Sequence, residues 1–153
     1  MTPEKLLEAL KNKAIKILSF REHSSKELAR KLNQMDGGKI EKNLINQVIL
    51  ELTQRDYLSD KRYAEVLIRS RARKGYGPNY CKNALLQAGV SHEIIDQAMQ
   101  DFELNSEFNW PEIKQKLIEK KTKNLNLKDS KISPKTSPKE AVKLKRFLQG
   151  RGF

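Results

Sequence analysis

Two short stretches of this chain run in parallel. Leu85-Leu86-Gln87-Ala88-Gly89-Val90 and Leu148-Gln149-Gly150-Arg151-Gly152-Phe153 place a leucine, a glycine and an apolar residue at matching positions. A recurring helix-end pattern of this kind constrains the fold strongly, because it makes the chain an array of similar units rather than a single layered globule. The helix starts recur too. Thr2-Pro3 puts a capping residue before a proline at the first helical position, and Leu7, Leu10, Ala14 and Ile17 follow at helical spacing. That spacing predicts a first helix from about Pro3 to Arg21. Ser24-Ser25-Lys26-Glu27 reads as a capping box before Leu28 and Leu32. Asp36-Gly37-Gly38 reads as a turn, and Ile45, Val48, Ile49 and Leu52 as the buried stripe of a third helix.

The second round starts at Ser59-Asp60, runs to about Lys74 and stops at Gly75. Gly77-Pro78 opens a short helix that Gly89 ends, and Ser91 opens another, with Val90 and Ile95 spaced for a hydrophobic staple. A third round starts at Trp110-Pro111 with a helix to about Lys121, and Ser137-Pro138 opens a last helix. Between them, about 120–138, lies a lysine-rich polar stretch expected to be a mobile loop. The fold class expected is therefore all-α: a tandem array of three three-helix repeats, curved and elongated, over residues 1–58, 59–109 and 110–153. The last repeat is expected to lack its final helix.

Charge narrows the function. Lys and Arg outnumber Asp and Glu by 31 to 19, for a net +12. Such a surplus draws anionic partners, nucleic acid first among them. Residues 61–82 hold seven basic residues and one acid. At about 100° per residue, Arg62, Arg69 and Arg73 fall in one stripe, beside an apolar face carrying Tyr63, Val66 and Leu67. Arg71 falls on the far flank, where half burial and a carboxylate partner are expected. A solvated helix face would produce the same run. Four arginines with so few acids favour a contact surface, since arginine grips phosphates and carboxylates bidentately. Gly75 and Gly77 read as a tight inter-helix turn, with Tyr76 available to offer a ring to a base. Residues 110–153 carry thirteen basic and four acidic residues. Trp110, followed by Ile113 and Leu117, reads as core.

Nothing points to catalysis. The chain has one cysteine, Cys81, and two distant histidines, His23 and His92, without a metal-ligand spacing or a phosphate loop. No cofactor, metal or catalytic residue is expected. Neither a signal peptide nor an apolar stretch of membrane-spanning length is present, so a soluble, cytoplasmic monomer is expected.

Four stretches, taken in order, resemble the RecX family of bacterial regulators. They are Ser25-Lys26-Glu27-Leu28-Ala29-Arg30-Lys31-Leu32, Tyr57-Leu58-Ser59-Asp60-Lys61-Arg62-Tyr63-Ala64, Ser70-Arg71-Ala72-Arg73-Lys74-Gly75-Tyr76-Gly77-Pro78 and Arg146-Phe147-Leu148-Gln149-Gly150-Arg151-Gly152-Phe153. The third is the most specific. The resemblance implies a curved array of three-helix repeats that binds the RecA recombinase on single-stranded DNA. It implies hindered filament growth and lowered ATPase, strand-exchange and coprotease activities. It places Arg69, Arg71, Arg73, Lys74 and Tyr76 in a basic signature, and Arg30 and Lys31 in a second basic site. Arg62, Lys145 and Arg146 complete the candidate contact residues for RecA or DNA. Family members usually continue past the Arg-Gly-Phe motif into a further helix. The alternative is a general helical DNA-binding or architectural protein with no recombinase partner.

Overall fold

Side-chain oxygens start several of the helices. In the computed structural model, which describes residues 2–105, 109–124 and 138–153, the Thr2 hydroxyl accepts from the Lys5 amide and opens α1, Pro3–Phe20. Ser24 opens α2, Ser25–Gln34, accepting from the Glu27 amide at 3.1 Å. A 3₁₀ turn, Met35–Gly38, leads to α3, Lys42–Gln54. Ser59 caps α4, Asp60–Arg73, and Pro78 opens α5, Pro78–Gln87. Then come α6, His92–Asn105, α7, Trp110–Asn124, and α8, Pro138–Gly150. Among the described residues every regular element is helical.

Two local expectations change. The capping box at Ser24 is half made: Glu27 turns its carboxylate to the Arg21 guanidinium, with His23 3.7 Å away. The helix expected to end near Lys121 continues to Asn124, so the polar stretch does not begin at 120. The rest of that stretch, 125–137, lies outside the described residues.

Two cores result. Leu10 and Ala14 of α1, Leu28 and Leu32 of α2, and Ile45, Val48 and Leu52 of α3 close the first. Ala64, Ile68 and Ala72 of α4, Cys81 and Leu85 of α5, and Ile95, Ala98, Met99 and Phe102 of α6 close the second. Each fully buried leucine contributes about 1.5–3 kcal/mol over an exposed one. Trp110 and Ile113 of α7 join the second core, and Trp110 lies 4.7 Å from Phe102, centroid to centroid. The spacing reading of Trp110 as core thus holds.

The joints between rounds share one design. The Ser24 hydroxyl, at the N-cap of α2, donates to the carbonyl of Ala88, the C-cap of α5, at 2.7 Å. The Gly77 amide, at the N-cap of α5, donates to the carbonyl of Arg151, just past α8, at 2.6 Å. In both, the start of one round's middle helix receives the end of the next round's. Gly89 and Gly152 follow those carbonyl residues with φ of +81° and +93°, which an L side chain rarely adopts. A Cβ on Gly89 would collide with the Lys26 side chain, and one on Gly152 with the Tyr80 backbone. The parallel between Gly89 and Gly152 in the sequence is therefore a parallel between two joints.

Candidate functional site

Helix α4 ends in a cluster of cations. The C-terminus of a helix carries partial negative charge from its unpaired carbonyls, which favours basic side chains in the last turn. Arg71 and Arg73 occupy that turn, followed by Lys74. Arg69, Arg73 and Lys74 are exposed, and no ion pair among the described residues engages them. With Val66 and Ser70 they line an open hollow of about 490 Å³. Three uncompensated cations around a hydroxyl and a small apolar patch can seat a phosphate or carboxylate group.

A second hollow, of about 240 Å³, shares Arg73 and Lys74 and continues onto α7, where Lys116 and Lys120 line it beside Leu117. The basic surface therefore crosses from the second round to the third. Lys116 lies 3.6 Å from Glu112, but both are well exposed, a pairing worth little in water. In the sequence Lys116 figures only in the charge of the last third, and Lys120 falls at the start of the expected mobile loop, whereas both lie on α7. The available signal was their i,i+4 spacing, which gives one face of α7 two cations; which neighbour that face would meet was not readable from it. Gly75 makes the meeting possible: its φ is +86°, and a Cβ there would lie 2.9 Å from the Leu117 side chain.

The other expected site residues divide. Arg62 is not part of a free stripe. Its Nε donates to Glu22 at 2.8 Å, its Nη1 lies 3.3 Å from Asp56, and its Nη2 donates to the Tyr57 carbonyl. The hydrogen bond to Glu22 foremost holds its guanidinium more firmly protonated than usual. It ties α4 to the link after α1. Arg71 is half buried as expected, but its carboxylate partner is absent among the described residues, and its Nε is buried without a hydrogen bond. Tyr76 has its ring in use: Tyr80 stacks on it at 4.1 Å and the Arg151 guanidinium lies 4.6 Å from its centroid. It clamps the second joint and offers no open platform to a base. Lys31 donates to His23 Nε2 at 2.8 Å, while Arg30 is exposed. Lys145 and Arg146 are exposed on α8.

His23 itself is 2 % exposed. Its Nδ1 donates to the Arg21 carbonyl at 2.9 Å, which leaves Nε2 to accept from Lys31. Burial is the main reason its pKa falls below the ordinary value. Burial likewise pushes the Cys81 thiol up to about 11, so it is not a thiolate at neutral pH. Among the described residues no cluster of His, Cys, Asp or Glu could hold a metal ion, and no helix is long and apolar enough to cross a membrane.

Comparison with known proteins places these features in a family. Residues 11–52 match the RecX first three-helix domain, and residues 59–99 the RecX second three-helix domain. The regulatory protein RecX of Cronobacter sakazakii is 36 % identical over 94 % of this chain and 84 % of its own length. That of Yersinia enterocolitica is 36 % identical over 94 % and 90 %. The crystal structure of RecX from Lactobacillus salivarius superposes with a TM-score of 0.75 at 26 % identity, covering 96 % of this chain and 88 % of that one.

Proposed function

We propose that this chain, which belongs to the RecX family of regulatory proteins, regulates the RecA recombinase by binding its filament on single-stranded DNA. In this reading it slows filament growth and lowers the ATPase, strand-exchange and coprotease activities. It does so as a cytoplasmic monomer, by occupying a surface and not by catalysis. The units that act are residues 1–58, 59–109 and 110–153.

The observation that carries the reading is the run of unpaired cations at Arg69, Arg73 and Lys74, continued by Lys116 and Lys120. A filament of recombinase on DNA offers both phosphates and acidic side chains, and bidentate arginines suit either. Because the run spans a joint, its shape depends on how two rounds are docked. A rigid curved cationic surface can match a helical filament better than a flexible single strand. Tyr76 supports that shape from inside the second joint, Arg62 ties the second round to the first, and Arg30, Lys145 and Arg146 are further exposed cations.

The test is ATP hydrolysis by RecA on single-stranded DNA with the protein added below stoichiometry. The expected result is inhibition that deepens with time as filaments shorten. Unchanged hydrolysis at every ratio would contradict the reading. The net charge of +12 favours a second reading, general DNA binding. That reading predicts equal affinity for bare and RecA-coated DNA, with a steep loss of both in salt.

A further inference from the structure

Four consecutive residues join the first round to the second, and three of them reach forward. Glu22 accepts from the Arg62 Nε of α4 at 2.8 Å, and the Ser24 hydroxyl donates to the Ala88 carbonyl at the end of α5 at 2.7 Å. The Ser25 amide donates to the Asp60 carboxylate at the start of α4, also at 2.7 Å. The fourth residue, His23, reaches back. Its Nδ1 donates to the Arg21 carbonyl at 2.9 Å, and its Nε2 accepts from Lys31 of α2 at 2.8 Å. The residue is 2 % exposed. The imidazole thus fastens the connector to its own round while its neighbours hold the next.

That arrangement suits only the uncharged ring. Lys31 needs the Nε2 lone pair, and a proton there removes it. The charged groups acting on the ring are Arg21 and Lys31, which oppose its protonation, and Glu27, which favours it. Glu27 lies 3.7 Å from Nε2, but it is already paired with Arg21 and faces the Tyr63 hydroxyl of α4. The other charged groups that α4 brings to the connector are occupied: Asp60 by the Ser25 amide, and Arg62 by Glu22 and Asp56. A proton taken from solvent onto Nε2 therefore sets three cations around one carboxylate in a buried place, and Lys31 must leave. Burial already holds the imidazole below its ordinary pKa. The second joint has no such group. Aligning the N-caps Ser24 and Gly77 puts Tyr76 where His23 stands, held by its contacts with Tyr80 and Arg151.

We infer that His23 is a proton-operated catch on the first joint: uncharged, it holds the connector against α2, and protonated, it releases Lys31 and lets the first round turn on the second. The two cores share no buried residue, so each round stays folded while the angle between them changes. That angle sets the spacing between exposed Arg30 in the first round and exposed Arg69 in the second, so the shape of the array follows pH. The catch needs neither DNA nor recombinase to work.

Spin labels on Lys13→Cys of α1 and Gln97→Cys of α6, two exposed positions, report the angle in the intact protein, and buried Cys81 stays unlabelled. Between about pH 8 and pH 5.5 a second distance population should grow at least about threefold, in step with the titration of the His23 ring read by NMR. Exposed His92 is the control in the same spectra. His23→Gln should abolish the change in distance. Lys31→Gln, at an exposed position, removes one opposing cation and should move the midpoint of the His23 titration to higher pH. That second variant keeps the test decisive where His23→Gln does not fold. Three results overturn the inference: a distance distribution constant over the range, a change that persists in His23→Gln, or a His23 midpoint that ignores Lys31→Gln. Because no RecA is present, none of them bears on the filament reading.

Discussion

Gly77→Ala is the most informative perturbation of the second joint. Gly77 has φ −96°, which alanine adopts without strain, so the change acts through space alone. The new Cβ would lie 2.6 Å from the Gly152 carbonyl oxygen, a backbone atom that cannot swing aside. Relief requires the end of α8 to withdraw. That weakens the hydrogen bonds from the Gly77 amide to Arg151 and from the Asn79 amide to Gly152. Overpacking costs about 1–3 kcal/mol, and two backbone hydrogen bonds about 0.5–1.5 kcal/mol each, so a joint penalty of about 2–4 kcal/mol follows when part of the clash relaxes. Each 1.4 kcal/mol is a factor of ten, so opening of the joint should rise about 30- to 700-fold. In a repeat array the cost stays between neighbours. Amide hydrogen exchange should therefore accelerate in α8, while the amides of α1 to α3 keep their protection. Equal acceleration throughout, or none in α8, would refute the assignment of Gly77 to an inter-repeat contact.

Other outcomes follow from named contacts. Unfolded, His23 titrates near 6.5; folded, it titrates lower. The unfolded chain thus takes up the proton first, so stability should fall as pH drops from about 7 to 5 and be level above. His23→Gln should flatten urea-midpoint curves across that window, and parallel curves for both proteins would contradict this. Arg62→Ala should cost at most about 1 kcal/mol, its pairs with Glu22 and Asp56 being partly exposed. Filament affinity should stay within twofold; a tenfold loss would return Arg62 to the contact surface. Lys116→Ala/Lys120→Ala should weaken filament binding severalfold with unchanged circular dichroism, and full affinity would confine the surface to α4.

Much of the helical order was legible because it is local. Thr2, Ser24 and Ser59 act on amides three residues away, and Leu28 and Leu32 share a face by period alone. What was missed lies between rounds. Arg62 sits in the same stripe as Arg69 and Arg73, yet Glu22 is forty residues distant in sequence, and periodicity holds no information about it. Tyr76 reads as an available ring until Tyr80 and Arg151 close on it. Lys116 and Lys120 gain meaning only when Gly75 lets α7 approach α4. The repeated glycine was the one long-range feature the sequence did expose, because both joints require the same backbone conformation.

On the proposed function the α4 cations read a recombinase filament and not DNA alone. Binding of the protein to RecA-coated single-stranded DNA, and to the same strand bare, tests it when wild type is set beside Arg69→Ala/Arg73→Ala/Lys74→Ala at one fixed salt concentration. Clear preference for the coated strand is expected, with at least a tenfold loss of that binding in the triple variant and helicity intact. Equal affinity for both strands, or a triple variant that binds the filament as well as wild type, would contradict it.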